Sequence, residues 1–209
     1  MSILKRELRQ GFKPFVLWAS GFAFLVLGGM VKFSGMEAME GAGMGQMLSQ
    51  FPKPVLAMFG MAEARIETLG GFYAVLQFYA MILLACYAVH LGTASVLRES
   101  MDKTYEFLFT KPCGRMHILS MKLLGGLLFL GAMCLLNGLF SWIAPGLYGI
   151  RNTIQREILL FSAAVFWVGL LFFSMGAWIS VVMKRGERAV QVAYGTCLLY
   201  TSDAADDSL

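Results

Sequence analysis

Charged residues are scarce in this sequence. Of its 209 residues, 14% are Asp, Glu, Lys or Arg, whereas 58% are hydrophobic and the mean hydropathy is +0.67. A soluble domain has about a quarter of its residues charged and usually keeps one wet face on each helix. Here the apolar residues are pooled into long runs, and no short alternating segments typical of a β-barrel are evident. The composition excludes an ordinary soluble domain and predicts helices that span a membrane.

Paired cysteines are also missing. Cys86, Cys134 and Cys197 lie in apolar runs and Cys113 lies in a polar segment, without any CxxC motif. Neither a disulfide framework nor a zinc site is therefore indicated. The net charge of +4 is small and is not a nucleic-acid signal, so no nucleic-acid partner is expected.

Motifs for catalysis are absent as well. The sequence has no HExxH and no GxSxG, which argues against an intramembrane hydrolase. It also has no GxxxxGK[ST], the loop whose backbone amides hold ATP phosphates. We therefore assign no catalytic residue, no metal and no bound cofactor. If the chain moves a solute uphill, the energy must come from another subunit.

Apolar runs predict an all-α, polytopic transmembrane bundle. A spanning helix needs about 20 residues, and four runs meet that length while a fifth is too short. The four spans are 15–31, 72–97, 118–143 and 158–183, and the partial fifth is 189–200. None of the four contains Asp or Glu, which weakens the case for an ion-coupled carrier because such carriers commonly bind the ion at a carboxylate in the membrane.

The C-terminal residues change character abruptly. The stretch CLLYTSDAADDSL resembles a translated sequencing adaptor, and its last nine residues are small or acidic. We expect residues 201–209 to be non-native and residues 1–200 to form the membrane domain, with further native sequence completing the fifth span.

The N-terminus is amphipathic. Leu4, Leu8 and Phe12 recur every fourth residue among four basic residues, the pattern of a helix lying at the membrane interface. Pro14 is expected to separate this helix from the first span. The alternative is a basic cytoplasmic flank without such a helix.

Lysine and arginine alternate in density between the spans. The N-terminus has four, residues 32–71 have three, the segment between the second and third spans through Lys122 has five, residues 144–157 have two, and the short segment after the fourth span has three. Cytoplasmic loops carry the excess of positive charge. This predicts a multi-pass protein of the cytoplasmic (inner) membrane with a cytoplasmic N-terminus.

Polar residues follow one face of the second span. Tyr79, Cys86, His90 and Thr93 are spaced by seven, four and three residues, which places them on one side of a helix, with Gln77 on another. The stripe could line a translocation path or could pack against other helices; packing is the favoured interpretation.

Small residues predict further packing faces, because they let membrane helices approach closely. In the fourth span these residues are Ser162, Gly169, Gly176 and Ser180. In the third span they are Gly125, Gly126, Gly131 and Gly138, with the polar Asn137.

A polar island, RESMDKTYEFLFTKPCGRMH (residues 98–117), separates the second and third spans. Its apolar residues recur at helical spacing, and Pro112 ends the helix because the residue before proline avoids the α region. Arg115 and Lys122 mark the start of the third span. The island therefore predicts a short helix at the membrane surface, followed by a turn. Physical reasoning leaves open whether this helix binds a partner or rests on lipid headgroups.

The island resembles the segment after the second span of ABC-2 type transporter permeases. Its matching residues are Glu99, Asp102-Lys103-Thr104, Glu106-Phe107-Leu108, Lys111-Pro112, Arg115, and Ile118-Leu119 with Lys122. Cys113-Gly114 depart from the family, which often has a small apolar residue and Ser there. The resemblance covers residues 1–200, although only the island is specific.

The resemblance implies the membrane subunit of an ATP-binding cassette transporter, with a lean to export. In that family the island is a coupling helix that docks on a separate nucleotide-binding ATPase subunit, which holds ATP and magnesium, and a second permease copy or paralogue completes the complex. The implied contact residues are Arg98, Glu99, Met101, Asp102, Lys103, Thr104, Tyr105, Glu106, Phe107, Leu108 and Phe109. The alternative is a non-transporting scaffold or sensor subunit that recruits a cytoplasmic partner through residues 98–117. No residue selects a substrate.

Overall fold

The protein folds into five α-helices. A computed structural model describes residues 3–38, 69–101, 115–147, 155–183 and 186–206, and no strand occurs among them. The helices are α1 (Ile3–Ala38), α2 (Leu69–Met101), α3 (Arg115–Leu147), α4 (Gln155–Val182) and α5 (Gly186–Asp206). The first four are long and apolar enough to cross a membrane. The predicted polytopic helical bundle with four complete spans is confirmed.

The predicted break at Pro14 is wrong. α1 is one helix from Ile3 to Ala38 with Pro14 inside it. Membrane helices tolerate proline because neighbouring groups satisfy the freed backbone carbonyl. The N-terminal segment also packs on protein, since a Cβ at Gly11 would overlap the ring of Phe129 in α3.

α2 is the central helix of the bundle. Within its apolar span 56% of the residues are buried, compared with 17% in α1, 33% in α3 and 28% in α4. It meets α4 with almost no side chain between the two backbones. A Cβ on Gly176 would lie 2.8 Å from the carbonyl oxygen of Val89, and a Cβ on Gly92 would lie 2.8 Å from the backbone nitrogen of Ala177. Glycine is thus what permits this crossing, as expected for small residues between membrane helices.

The four predicted small residues of α4 lie in contacts between helices, as expected. Gly169, Gly176 and Ser180 are buried in the bundle, and the Ser162 hydroxyl faces Gly138. In α3, Gly125 and Gly126 also face other helices. Gly131 differs, because a Cβ there would meet no atom of the described residues within 4 Å. The packing expected at this position, which includes contact with another subunit, stays a prediction.

Each end of the bundle is built from the same set of helices. At one end, an apolar cluster joins Phe33 of α1, Leu69 of α2, Ala144 of α3 and Ile158 of α4. At the other end, the starts of α1 and α3 meet the ends of α2 and α4. The four spans therefore alternate in direction, which is the arrangement that the distribution of basic residues predicts.

α5 contains the fifth apolar run. Its apolar part, Val190–Leu199, is shorter than a spanning helix, and Ala193 and Cys197 are buried in the same core as α2 and α4. The partial fifth span predicted at residues 189–200 stays a prediction. The helix continues to Asp206, and the non-native origin of residues 201–209 stays a prediction.

Candidate functional site

The predicted coupling segment leaves the bundle directly from α2. Helix α2 ends at Met101 and α3 begins at Arg115, so the backbone of residues 98–101 continues the central helix without a break. The remaining predicted contact residues, 102–109, and the turn residues Lys111 and Pro112 lie outside the described residues. The partner contact predicted for this segment stays a prediction.

Both ends of this segment are anchored at one end of the bundle. A Cβ at Gly125 would lie 3.4 Å from the Cβ of Glu7, and a Cβ at Gly126 would lie 2.9 Å from the hydroxyl oxygen of Ser95. The start of α3 therefore touches both the start of α1 and the end of α2.

Two charged side chains are buried at this end. Glu7 is 9% exposed and Lys122 is 4% exposed, and each interacts with a neighbouring group. Lys122 lies three residues before Gly125, which packs on Glu7. Burying a charge is costly unless it is compensated, so these residues fix the N-terminal segment of α1 and the start of α3 in place. These buried residues consequently stabilise the start of α3, where the island ends.

The predicted polar stripe of α2 lies partly in helix contacts. The thiol of Cys86 is hydrogen-bonded to that of Cys197 in α5. The Thr93 hydroxyl donates within its own helix to the carbonyls of Val89 and His90, at 3.0 Å each. Tyr79 and His90 are partly exposed. Packing accounts for Cys86 and Thr93, and a role of the stripe in translocation stays a prediction.

A second polar group, which the sequence reasoning did not bring together, lies between α2 and α3. Gln77 donates from Nε2 to the Tyr73 hydroxyl at 2.8 Å and to the Ser141 hydroxyl at 3.0 Å, and Asn137 Nδ2 donates to Gln77 Oε1 at 3.1 Å. All four residues are at most 1% exposed. We call these four residues the polar layer. It joins two spans in the half of the bundle where α2 begins and α3 ends.

A sequence signal for the polar layer did exist. Tyr73 and Gln77 are four residues apart in one span, and Asn137 and Ser141 are four residues apart in the next. Residues at this spacing share a helix face, and polar side chains of adjacent spans hydrogen-bond across helices. The spacing within each span could have been recognised, but the pairing of the two faces requires the relative rotation of the helices.

Replacing Gln77 by leucine is expected to destabilise the bundle by about 1–2 kcal/mol, the upper range for hydrogen bonds between membrane helices. The change removes three hydrogen bonds while keeping the volume nearly constant. The free energy of unfolding, measured by titration with a denaturing detergent, reports the loss.

Thr93→Val is the matched control for this substitution. Thr93 is buried in the same helix, but its hydroxyl bonds only to its own backbone, so its removal is expected to change stability by less than about 0.5 kcal/mol. Equal losses for the two variants would show that the polar layer adds nothing to helix association.

Among the described residues, no group of three or more His, Cys, Asp or Glu side chains is placed to hold a metal ion. The groups gathered inside the bundle are neutral hydroxyls and amides, together with the buried Glu7 and Lys122. The arrangement of the described residues provides helix association and a buried polar layer.

Comparison with known proteins identifies the family. The profile of the ABC-2 family transporter proteins matches residues 1–201, which is nearly the whole chain. No curated protein and no solved structure matches this chain. The match agrees with the four apolar spans and with the resemblance of the island. The chain is therefore a multi-pass membrane protein that belongs to the ABC-2 transporter family.

Proposed function

We propose that this chain is the permease subunit of an ATP-binding cassette transporter, which moves a substrate across the cytoplasmic membrane. A separate nucleotide-binding subunit would bind ATP and magnesium and hydrolyse the ATP. The observation that carries the proposal is the family match over residues 1–201. The lack of a phosphate-binding loop in the sequence agrees with it, because this chain then needs a partner to use ATP.

The charge distribution supports a cytoplasmic N-terminus. Twelve of the seventeen Lys and Arg residues belong to the N-terminal segment, to the segment from Arg98 to Lys122 or to the short segment after α4. The start of α1, the end of α2 and the start of α3 meet at one end of the bundle. Under the positive-inside rule this end faces the cytoplasm, where an ATPase subunit could reach it.

Continuity of α2 suggests how the partner's motion would enter the membrane. A partner docked on residues 98–109 would push on a segment whose first residues belong to the most buried helix of the bundle. Since α2 touches α4 backbone to backbone near Gly92 and Gly176, the two helices would move together. In the family pattern a second permease copy or paralogue completes the path, and export is the expected direction.

Charge reversal in the island tests the partner contact. We expect the double variant Glu99→Lys, Asp102→Lys to bind the ATPase subunit more weakly than the unaltered chain does, by a factor of about ten or more. A tenfold loss corresponds to about 1.4 kcal/mol of binding free energy. The measurement is co-purification of tagged chain with a co-expressed ATP-binding cassette protein encoded beside its gene.

Glu157→Lys is the matched control, because Glu157 is exposed in the first turn of α4 at the opposite end of the bundle. It should leave co-purification unchanged. If both variants retain the ATPase as the unaltered chain does, the island is not the contact. Retention of a partner other than an ATPase through residues 98–117 would favour the scaffold or sensor alternative.

A further inference from the structure

Asn137 carries an unmet hydrogen bond deep inside the bundle. Its side chain is 0% exposed, and its Oδ1 has no hydrogen-bond partner among the residues that the structure describes. Buried polar atoms in proteins are nearly always paired with protein groups or with bound water. In a membrane span the surrounding lipid offers no substitute. The orphaned amide atom therefore calls for a polar group that the described residues do not supply.

This conclusion does not depend on how the two amides are oriented. Oxygen and nitrogen of an amide side chain are assigned from the hydrogen bonds they make. In the orientation described above, Gln77 Nε2 donates to two hydroxyls and its Oε1 accepts from Asn137, which leaves the Asn137 oxygen unmet. If both amides are turned over, Gln77 Oε1 accepts from the hydroxyls and its nitrogen donates to Asn137. The Asn137 nitrogen is then the atom without a partner.

The two orientations place different demands on a ligand, and one kind of group meets both. The unmet atom is an acceptor in one orientation and a donor in the other. A hydroxyl oxygen can both donate and accept. The four side chains of the polar layer are all neutral at pH 7, so nothing in the layer compensates an ion. A neutral O–H group fits, whereas an anion or a metal cation does not.

A second unpartnered oxygen lies at the same level. Within the described part of the chain, the buried Oγ of Ser162 in α4 has no hydrogen-bond partner. It would be 3.3 Å from a Cβ on Gly138, the residue after Asn137. Phe161, its neighbour, packs edge-on against the ring of Tyr73, with centroids 5.8 Å apart. α4 thus brings a free hydroxyl to the level of the polar layer, while the other described serines of α4 bond to their own helix.

We propose that the outer amide atom of Asn137 is a binding site for a neutral O–H group inside the membrane-spanning bundle. The group would come from a water molecule or from a hydroxyl-bearing solute. The site is separate from the island and does not depend on an ATPase partner. It can therefore be tested whether or not the chain is a permease.

Asparagine labelling gives a direct test, since the chain contains only Asn137 and Asn152. The unaltered chain is labelled with ¹⁵N-asparagine and placed in deuterated vesicles of phosphatidylethanolamine and phosphatidylglycerol. Solid-state NMR then measures how fast proton magnetisation passes from water to each side-chain amide. Asn152 lies between predicted spans and serves as the reference. Although Asn137 is completely buried, we expect magnetisation from water to build up on its amide at a rate within about threefold of the rate for Asn152.

A second arm distinguishes the two sources. In D₂O containing protonated glycerol, and with the carbon-bound positions of the chain deuterated, only the carbon-bound protons of glycerol can supply magnetisation to the amide nitrogen. Transfer from water in the first arm identifies water as the occupant, and transfer from glycerol identifies a polyhydroxyl solute. Either result supports the site. If Asn137 receives no transfer from water and none from glycerol while Asn152 receives both, the site is dry and the proposal is wrong.

Discussion

The substitution Gly176→Leu is expected to separate α2 from α4 and to lower the free energy of unfolding by at least about 3 kcal/mol. Overpacking a core costs about 1–3 kcal/mol where side chains can adjust. At Gly176 the nearest atoms are the Val89 carbonyl oxygen at 2.8 Å and the Val89 Cα at 3.2 Å. Backbone atoms cannot rotate away as a side chain does, so the whole of α2 must shift. Denaturation by detergent titration in micelles measures the loss.

Gly28→Leu is the control for this substitution. Gly28 also lies in a membrane-spanning helix, but a Cβ there would meet nothing within 4 Å. Since leucine favours a helix by up to about 1 kcal/mol over glycine, this variant is expected to be neutral or slightly more stable. A Gly176→Leu variant as stable as Gly28→Leu would mean that the close α2–α4 crossing does not exist in the membrane.

The contrast between these glycines shows what the sequence could predict. Apolar run lengths were enough for the four spans, because the bilayer thickness imposes a helix length. Small residues marked Gly169 and Gly176 as packing positions, yet the same rule chose Gly131, which faces no other helix in the described part of the chain. Composition indicates which residues are small enough to permit close approach of two helices. Which of these residues lie at a helix contact depends on the rotation of each helix in the bundle.

Pro14 and Gln77 show two other limits. A proline breaks helices in water, but in α1 the helix continues through it, since the membrane penalises a free backbone more than a kink. Gln77 was set apart from the polar stripe of Tyr79 and Cys86, and it nevertheless makes three hydrogen bonds with partners from two helices. Two of these bonds, to Ser141 and from Asn137, join residues 64 and 60 positions apart, which no local pattern can pair.

Uncoupling is the expected functional result of reversing charge in the island. With Glu99→Lys and Asp102→Lys, we expect the ATPase subunit to hydrolyse ATP at the rate of the isolated subunit, because the permease no longer restrains or stimulates it. The fold should persist. Exposed charges contribute little to stability, about 0–1 kcal/mol for a surface ion pair, so the unfolding midpoint should match that of the unaltered chain.

The most direct test of the proposed function is the rate of ATP hydrolysis in vesicles that contain the ATPase subunit together with the permease chain. We predict that the unaltered chain and the Glu157→Lys variant change the hydrolysis rate of the subunit by at least about twofold, which corresponds to about 0.4 kcal/mol in the barrier. The double variant should leave the rate at that of the subunit alone. If the double variant changes the rate as much as the unaltered chain does, the island does not couple the two subunits and the proposed function is contradicted.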